Sequence, residues 1–380
     1  MISRWTILID TLYQGYLLPQ VFWRERRRWC QASRRIAAPS IRVYYGYDHI
    51  PGTGEFLAGG LVKCQDLQKA FPNVVASPNL LYMVTSALPP FAITMAREAK
   101  RAGAKIVVNQ NGVGYPAWCP HDWQRVNRPM RKLLKLADHV IYQSRFCKES
   151  ADRFLAPCSC PSEILHNPVD TSIFVPRANR DTDKPLTLII AGSYGAFYRI
   201  RKAVETLAIL RHEIPSARLI IAGRYEWESD GENAGDAVRS LCRELKVTEA
   251  VDIKGTYTQS EAIPLFHEAD ILLHTKYNDP CPRLVTEAMA CGLPVVYSAS
   301  GGLPELVGED AGSGISAILD WNIEHPPPAD LLATAVIKIW RQFDIFSRNA
   351  RNRAVTMLDI HPWMSRHQSI FESLMRDDLI

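Results

Sequence analysis

Two acidic residues eight positions apart, Asp279 and Glu287, bracket a helix start in DPCPRLVTEAMACGLPVVYSASGGLPE (279–305). Pro280 and Pro282 suit the first turn of a helix, where φ is already set and no N–H is needed. Leu284, Val285, Ala288 and Met289 recur at helical spacing, and Gly292 closes the helix. Leu293 to Val296 reads as a short buried strand that ends at Ser298-Ala299-Ser300-Gly301-Gly302. A helix N-terminus beside a glycine loop at a strand's carboxyl end offers unpaired N–H groups to an anion. Glu287 sits one turn inside the helix, where a carboxylate accepts hydrogen bonds from hydroxyls. Anion and hydroxyls together describe a nucleotide diphosphate that carries a sugar.

The segment resembles the donor-site signature of the group-1 (family 4) glycosyltransferases: an acidic residue, seven residues, then Glu in an EAMACGLPVV context, followed here by GGLPE. The family more often has Glu at the first position, and Asp279 shortens the reach by one methylene. ADHVIYQSRFCKES (137–150) resembles the family's strand ending in a serine, here Ser144. ILHNPVDTSIFVP (164–176) resembles its interdomain element through Asn167, Val169, Asp170, Phe174 and Pro176. HPWMSRHQSIFESL (361–374) is similar to its terminal helix, which crosses back onto the first domain. The likeness spans roughly residues 41–378, strong in the second half and diffuse in the first.

The resemblance implies a GT-B fold and retaining transfer of a hexose from a UDP- or GDP-sugar to a glycan or lipid-linked acceptor. It also implies roles. Asp279 and Glu287, with Asn111 and His121 from the first domain, form the reacting constellation. Arg199 and Lys202 in GSYGAFYRIRKAVETLAIL (192–210) supply positive charge to the phosphates; Ser193 stands where the family usually has Arg. Gly255 and Tyr257 match the base-binding loop, and Leu284, Gly301, Gly302 and Glu305 line the donor. Gly59 and Gly60 resemble the glycine pair facing the diphosphate across the cleft. With no D-x-D element at a strand end, the expectation is a metal-independent site.

These residues need a frame. Strand signals at 41–47, 80–87, 105–111, 139–144 and 163–167 alternate with helical segments. After the Pro- and charge-rich VPRANRDTDKP (175–185), they restart at 186–193, 217–223, 251–257, 271–276 and 293–298. Such alternation predicts two doubly wound, Rossmann-like parallel-sheet domains, with ligands beyond the carboxyl ends of the strands in a cleft. The expected units are 1–40, an extension; 41–180 with 361–380, the acceptor side; and 181–360, the donor side.

A length of 380 residues suits two cores rather than one. The net charge of +4 gives no case for nucleic acid. Residues 1–40 hold seven arginines against two acids, leaving the rest near neutral. The FWRERRRW run there suits either an anionic membrane surface or a helix packed on the main body. The stretch Trp5–Trp23 contains Asp10, Gln14, Pro19 and Gln20 and makes a poor spanning helix. No cleavage site for a signal peptide is evident, and nine scattered cysteines suit a reduced, cytoplasmic protein, peripheral on the inner membrane face if the arginines dock there. Cys158-x-Cys160 with Cys147 does not complete a metal site. A GT-B epimerase and a sugar-nucleotide binder without turnover are the competing readings. A dinucleotide dehydrogenase is disfavoured, because GTGEFLAGG (52–60) has the wrong glycine spacing.

Overall fold

A computed structural model describes residues 4–29, 40–52, 55, 59–180, 183–228 and 231–376. Arg34 and Arg35 of the basic extension, and much of the 52–60 glycine loop, lie outside the described residues.

The chain opens with α1 (Arg4–Trp29), then β1 (Val43–Tyr44), α2 (Leu61–Leu67), β2 (Leu80–Val84), α3 (Ala92–Arg101) and β3 (Lys105–Gln110). α4 (Trp123–Leu134), β4 (His139–Tyr142), α5 (Arg145–Phe154) and β5 (Ser162–Ile164) complete the first sheet, all parallel in the order β1-β2-β3-β4-β5. The second half runs β6 (Thr187–Tyr194), α6 (Tyr198–Glu213), β7 (Arg218–Tyr225), α7 (Gly231–Glu244), β8 (Val251–Lys254), α8 (Gln259–Glu268) and β9 (Ile271–His274). It continues through α9 (Arg283–Ala290), β10 (Val295–Ala299), α10 (Leu303–Val307), β11 (Gly312–Ser316), α11 (Ala329–Arg341) and α12 (Phe343–Met357). Its parallel sheet has the order β11-β10-β9-β6-β7-β8. The order reverses between β9 and β6, and a crevice opens at such a point.

Side-chain alternation builds both cores. Leu188 and Ile190 of β6 face the core under α6, α7 and α11, whereas Ile189 and Ala191 face the one under α8, α9 and α12. Burying each such aliphatic contributes roughly 1.5–3 kcal/mol before chain entropy is charged against it. β11 was not legible in the sequence, since GSGIS looks like a turn. It pairs in register with β10, and Gly312 permits this: a Cβ there would lie 2.2 Å from the Val295 carbonyl oxygen.

The final helix, α13 (Ile360–Arg376), packs on the first domain. Trp363, Ile370, Phe371, Leu374 and Met375 join the core beside β2. The boundary falls earlier than residue 180, because Val169 and Phe174 already belong to the second core. The backbone of Val169 bonds Leu358 and Ile360, so the two crossings lie side by side. Within the expected linker at 175–185, Arg177 and Arg180 pair with Asp270.

α1 packs against α3 through its last turns. Trp29 is fully buried, and Arg28 bonds Glu25, Tyr44 and Asp48, whereas Trp23, Arg24, Arg26 and Arg27 are exposed. No helix among the described residues is long and apolar enough to cross a membrane.

Candidate active site

A cavity of about 780 Å³ lies between the two sheets. The second domain contributes Glu226, Lys276, Asn278, Asp279, Pro280, Cys281 and Arg283; the first contributes Gly59, Gly60, Lys63 and Asn111 among others. One wall is apolar, built from Leu88, Val113, Tyr115, Trp118, Val126 and Met130.

Asp279 owes its place to the turn after β9. Burial alone would push its carboxyl up, but the Lys276 ammonium at 3.2 Å and the His274 Nε2 at 3.1 Å more than offset this. The group is held well below the usual carboxylate range. His274, buried at the end of β9, is pushed down by that burial and is neutral at pH 7. Arg199 lies close enough to add to the field on Asp279, and its buried Nε has no partner among the described residues.

α9 begins at Arg283 with Pro282 as N-cap and no side-chain cap. The guanidinium of Arg283 makes two ion pairs. Nη1 donates to Asp66 of the first domain at 2.6 Å, and Nε donates to Glu287 at 2.9 Å. Glu287 therefore stands behind Arg283, outside the cavity lining, with Gln259 Nε2 at 3.4 Å as a further donor. Burial raises its pKa despite Arg283. Leu284 points the other way, 3.8 Å from the Cβ position that Gly192 lacks.

The glycine loop has a structural job. A Cβ on Gly301 would sit 2.4 Å from the Asp279 carbonyl, and one on Gly302 2.0 Å from that of Pro280. Gly302 N–H donates to Asp279 O at 2.9 Å, so the loop clamps the turn that carries Asp279. Gly301 and Glu305 line a second, smaller interdomain cavity of about 220 Å³. Glu305, expected at the donor, instead caps α5 of the first domain, accepting from the amides of Arg145 at 2.8 Å and Phe146 at 3.4 Å.

Other expected residues lie elsewhere. Lys202 pairs with Glu205 on its own helix at 2.8 Å, and neither lines the cavity. Ser193 accepts from Arg199 through its carbonyl. Gly255 is exposed, its carbonyl bonded to the Gly223 amide. Tyr257 is half-buried on the second core near Glu287. His121 is exposed before α4, away from the lining. Of the first-domain expectations, Gly59, Gly60 and Asn111 do reach the cavity. With its amide turned to satisfy both ends, Asn111 accepts from Ser86 Oγ at 2.9 Å and from Lys63 Nζ at 3.2 Å.

Sequence reasoning missed Lys63, Lys276, Arg283 and Asp66. Lys276 had a signal, three residues before Asp279 and just past a strand end. Lys63 and Asp66 carry charges that a helix ordinarily turns to water, yet both are buried.

Residues 174–340 match the family model described as glycosyl transferases group 1. The second domain is thus similar to the group 1 glycosyl transferases. It is 29% identical over 166 residues to the D-inositol 3-phosphate glycosyltransferase of Mycobacterium leprae, covering 43% of this chain and 38% of that protein. The Mycobacterium tuberculosis counterpart is 30% identical over 148 residues, 38% of this chain and 30% of its own length. The matched region thus spans about a third of the length of these relatives. Fold similarity reaches further. Sucrose-phosphate synthase from Thermosynechococcus elongatus superposes with a TM-score of 0.62 at 18% identity, covering 83% of this chain and 77% of its own. HepE from Anabaena in complex with UDP-glucose gives 0.62 at 18% identity, covering 82% of each chain. Both domains share the GT-B architecture.

Proposed function

We propose that the protein transfers a hexose from a UDP- or GDP-sugar to a glycan or lipid-linked acceptor, with the anomeric configuration retained. One observation carries this reading: an ionised Asp279, with Lys276 beside it, faces the first domain's glycines and Asn111 across the interdomain cavity. A fixed carboxylate of this kind orients sugar hydroxyls, and a cation beside an uncapped helix start suits a diphosphate. The UDP-glucose complex of a fold relative favours UDP over GDP. The apolar wall with Tyr115 and Trp118 suits the acceptor, stacking a sugar ring or an apolar tail.

In the proposed step, the bond from the anomeric carbon to the phosphate oxygen breaks and a bond to the acceptor oxygen forms on the same face. The acceptor's hydroxyl proton passes to the departing phosphate. Lys276 and the start of α9 take the developing charge, so turnover should survive a chelator. Incubation with a panel of UDP- and GDP-sugars, read by melting temperature and then by NMR of the product linkage, tests the reading. No shift from any donor, or an inverted linkage, would refute it.

We also propose peripheral contact with anionic membrane through the exposed face of α1, where Trp23, Arg24, Arg26 and Arg27 cluster. Co-sedimentation with vesicles containing phosphatidylglycerol checks it; equal pelleting with neutral vesicles would sink it.

A further inference from the structure

Lys63 occupies the first turn of α2, three residues after Gly60, and lines the cavity opposite Lys276 and Asp279. It is almost completely buried, and its ammonium donates to two neutral acceptors, Asn109 Oδ1 at 3.2 Å and the turned Asn111 amide oxygen at 3.2 Å. Among the described residues it has no carboxylate partner. Asp66, one turn along, is committed to Arg283 and Lys69. A buried cation without a counter-charge is costly, and folds normally pair it. Its surroundings offer amide oxygens but no opposite charge. Cys64 flanks it on α2, Cys147 faces it from α5, and Cys281 and Arg283 face it from the start of α9. His367 approaches from α13, and Tyr82 of β2 shares Asn109. The side open to a partner is the cavity.

We propose that Lys63 is a phosphate-binding residue, the counter-charge that the first domain presents to the donor's diphosphate across the cleft. The inference rests on the donor reading above and adds a residue to it. Lys276 and the start of α9 hold the diphosphate from one domain, and Lys63 holds it from the other. Donor binding thereby neutralises a charge the empty protein buries alone, and it draws the two domains together.

The chemistry supplies its own readout. Burial pushes Lys63 down to about 8, so near that pH roughly half of the molecules lack the proton. An anion beside the amine restores it, and binding at pH 8 takes up about half a proton. The neighbours leave that window clear. His274 and His367 are neutral well below pH 8, and the thiols of Cys64, Cys147 and Cys281 are pushed up to about 12. A nucleoside diphosphate is already fully ionised there.

The experiment is calorimetric titration of the full chain with UDP, and with GDP if UDP fails, at pH 8 in buffers of different ionisation enthalpy. The wild type should take up about half a proton. Lys63→Met should take up none and bind about ten- to a hundredfold more weakly. Lys63→Arg keeps its charge throughout and should bind without uptake, which separates charge from packing if the Met variant does not fold. UDP binding by the wild type without proton uptake, or a Met variant matching it in affinity and uptake, overturns the role of Lys63 and leaves the donor reading intact. A wild type that binds neither nucleotide overturns the donor reading itself.

Discussion

In the proposed mechanism Asp279 works as a charge held in place. Its two cationic or polar partners are fixed by β9 and the turn after it, so the carboxylate stays ionised across the physiological range. Asp279→Asn keeps the shape and removes the charge. Under the proposed mechanism, turnover of the preferred donor should fall on the order of a hundredfold, with the melting temperature little changed; equal turnover would remove Asp279 from the mechanism. Glu287 acts at one remove, by holding Arg283. The acidic pair was legible in the sequence because helix starts and glycine loops have strong local signatures. Its geometry was not, because spacing along a helix does not say which carboxylate meets the cavity and which meets an arginine. Lys202 shows the same limit: a basic residue near a strand end found its own helix partner, Glu205.

The elements that join the domains carry chemistry of a plainer sort. Glu305 of α10 caps α5, a helix of the other domain, and its loss leaves two amides without that acceptor. Glu305→Ala should cost about 1–2 kcal/mol of stability, read from denaturant midpoints. α13 ties back through His367, whose ring bonds Tyr82 and the Trp363 carbonyl. Burial holds this imidazole down at about 4, against an unfolded value near 6.5. The unfolded chain therefore binds more protons between those values, and stability falls as pH drops from about 6.5 towards 4. Its share approaches roughly 3 kcal/mol at the acid end. His367→Phe should flatten that limb of the stability profile; an unchanged slope would show that other groups govern it. Alternating strands and helices made most of this frame readable in advance. β11 escaped because two glycines mask a strand whose pairing is set by its neighbour rather than by its own side chains.

Across the described residues, the contacts that pin the halves together include Arg283 with Asp66, Glu305 with α5, and the loop after β11. That loop sends Trp321 into the first domain's core, where its ring stacks on Phe146 with centroids 5.1 Å apart and meets Tyr115 and Phe154 edge-on. Its carbonyl accepts from the Ala117 amide at 2.8 Å. Trp321→Ala should destabilise the chain by about 3–5 kcal/mol and enlarge its radius of gyration in solution scattering, whereas a wholly local effect would leave the radius unchanged. None of this was visible in the sequence, since a lone tryptophan in a loop does not announce which core receives it. It follows that the two halves are not freely interchangeable modules. A chimera that borrows only the donor half would bring an aromatic plug along, and its new host would have to supply a socket as deep as that of Tyr115, Phe146 and Phe154, or leave a sticky ring exposed to water.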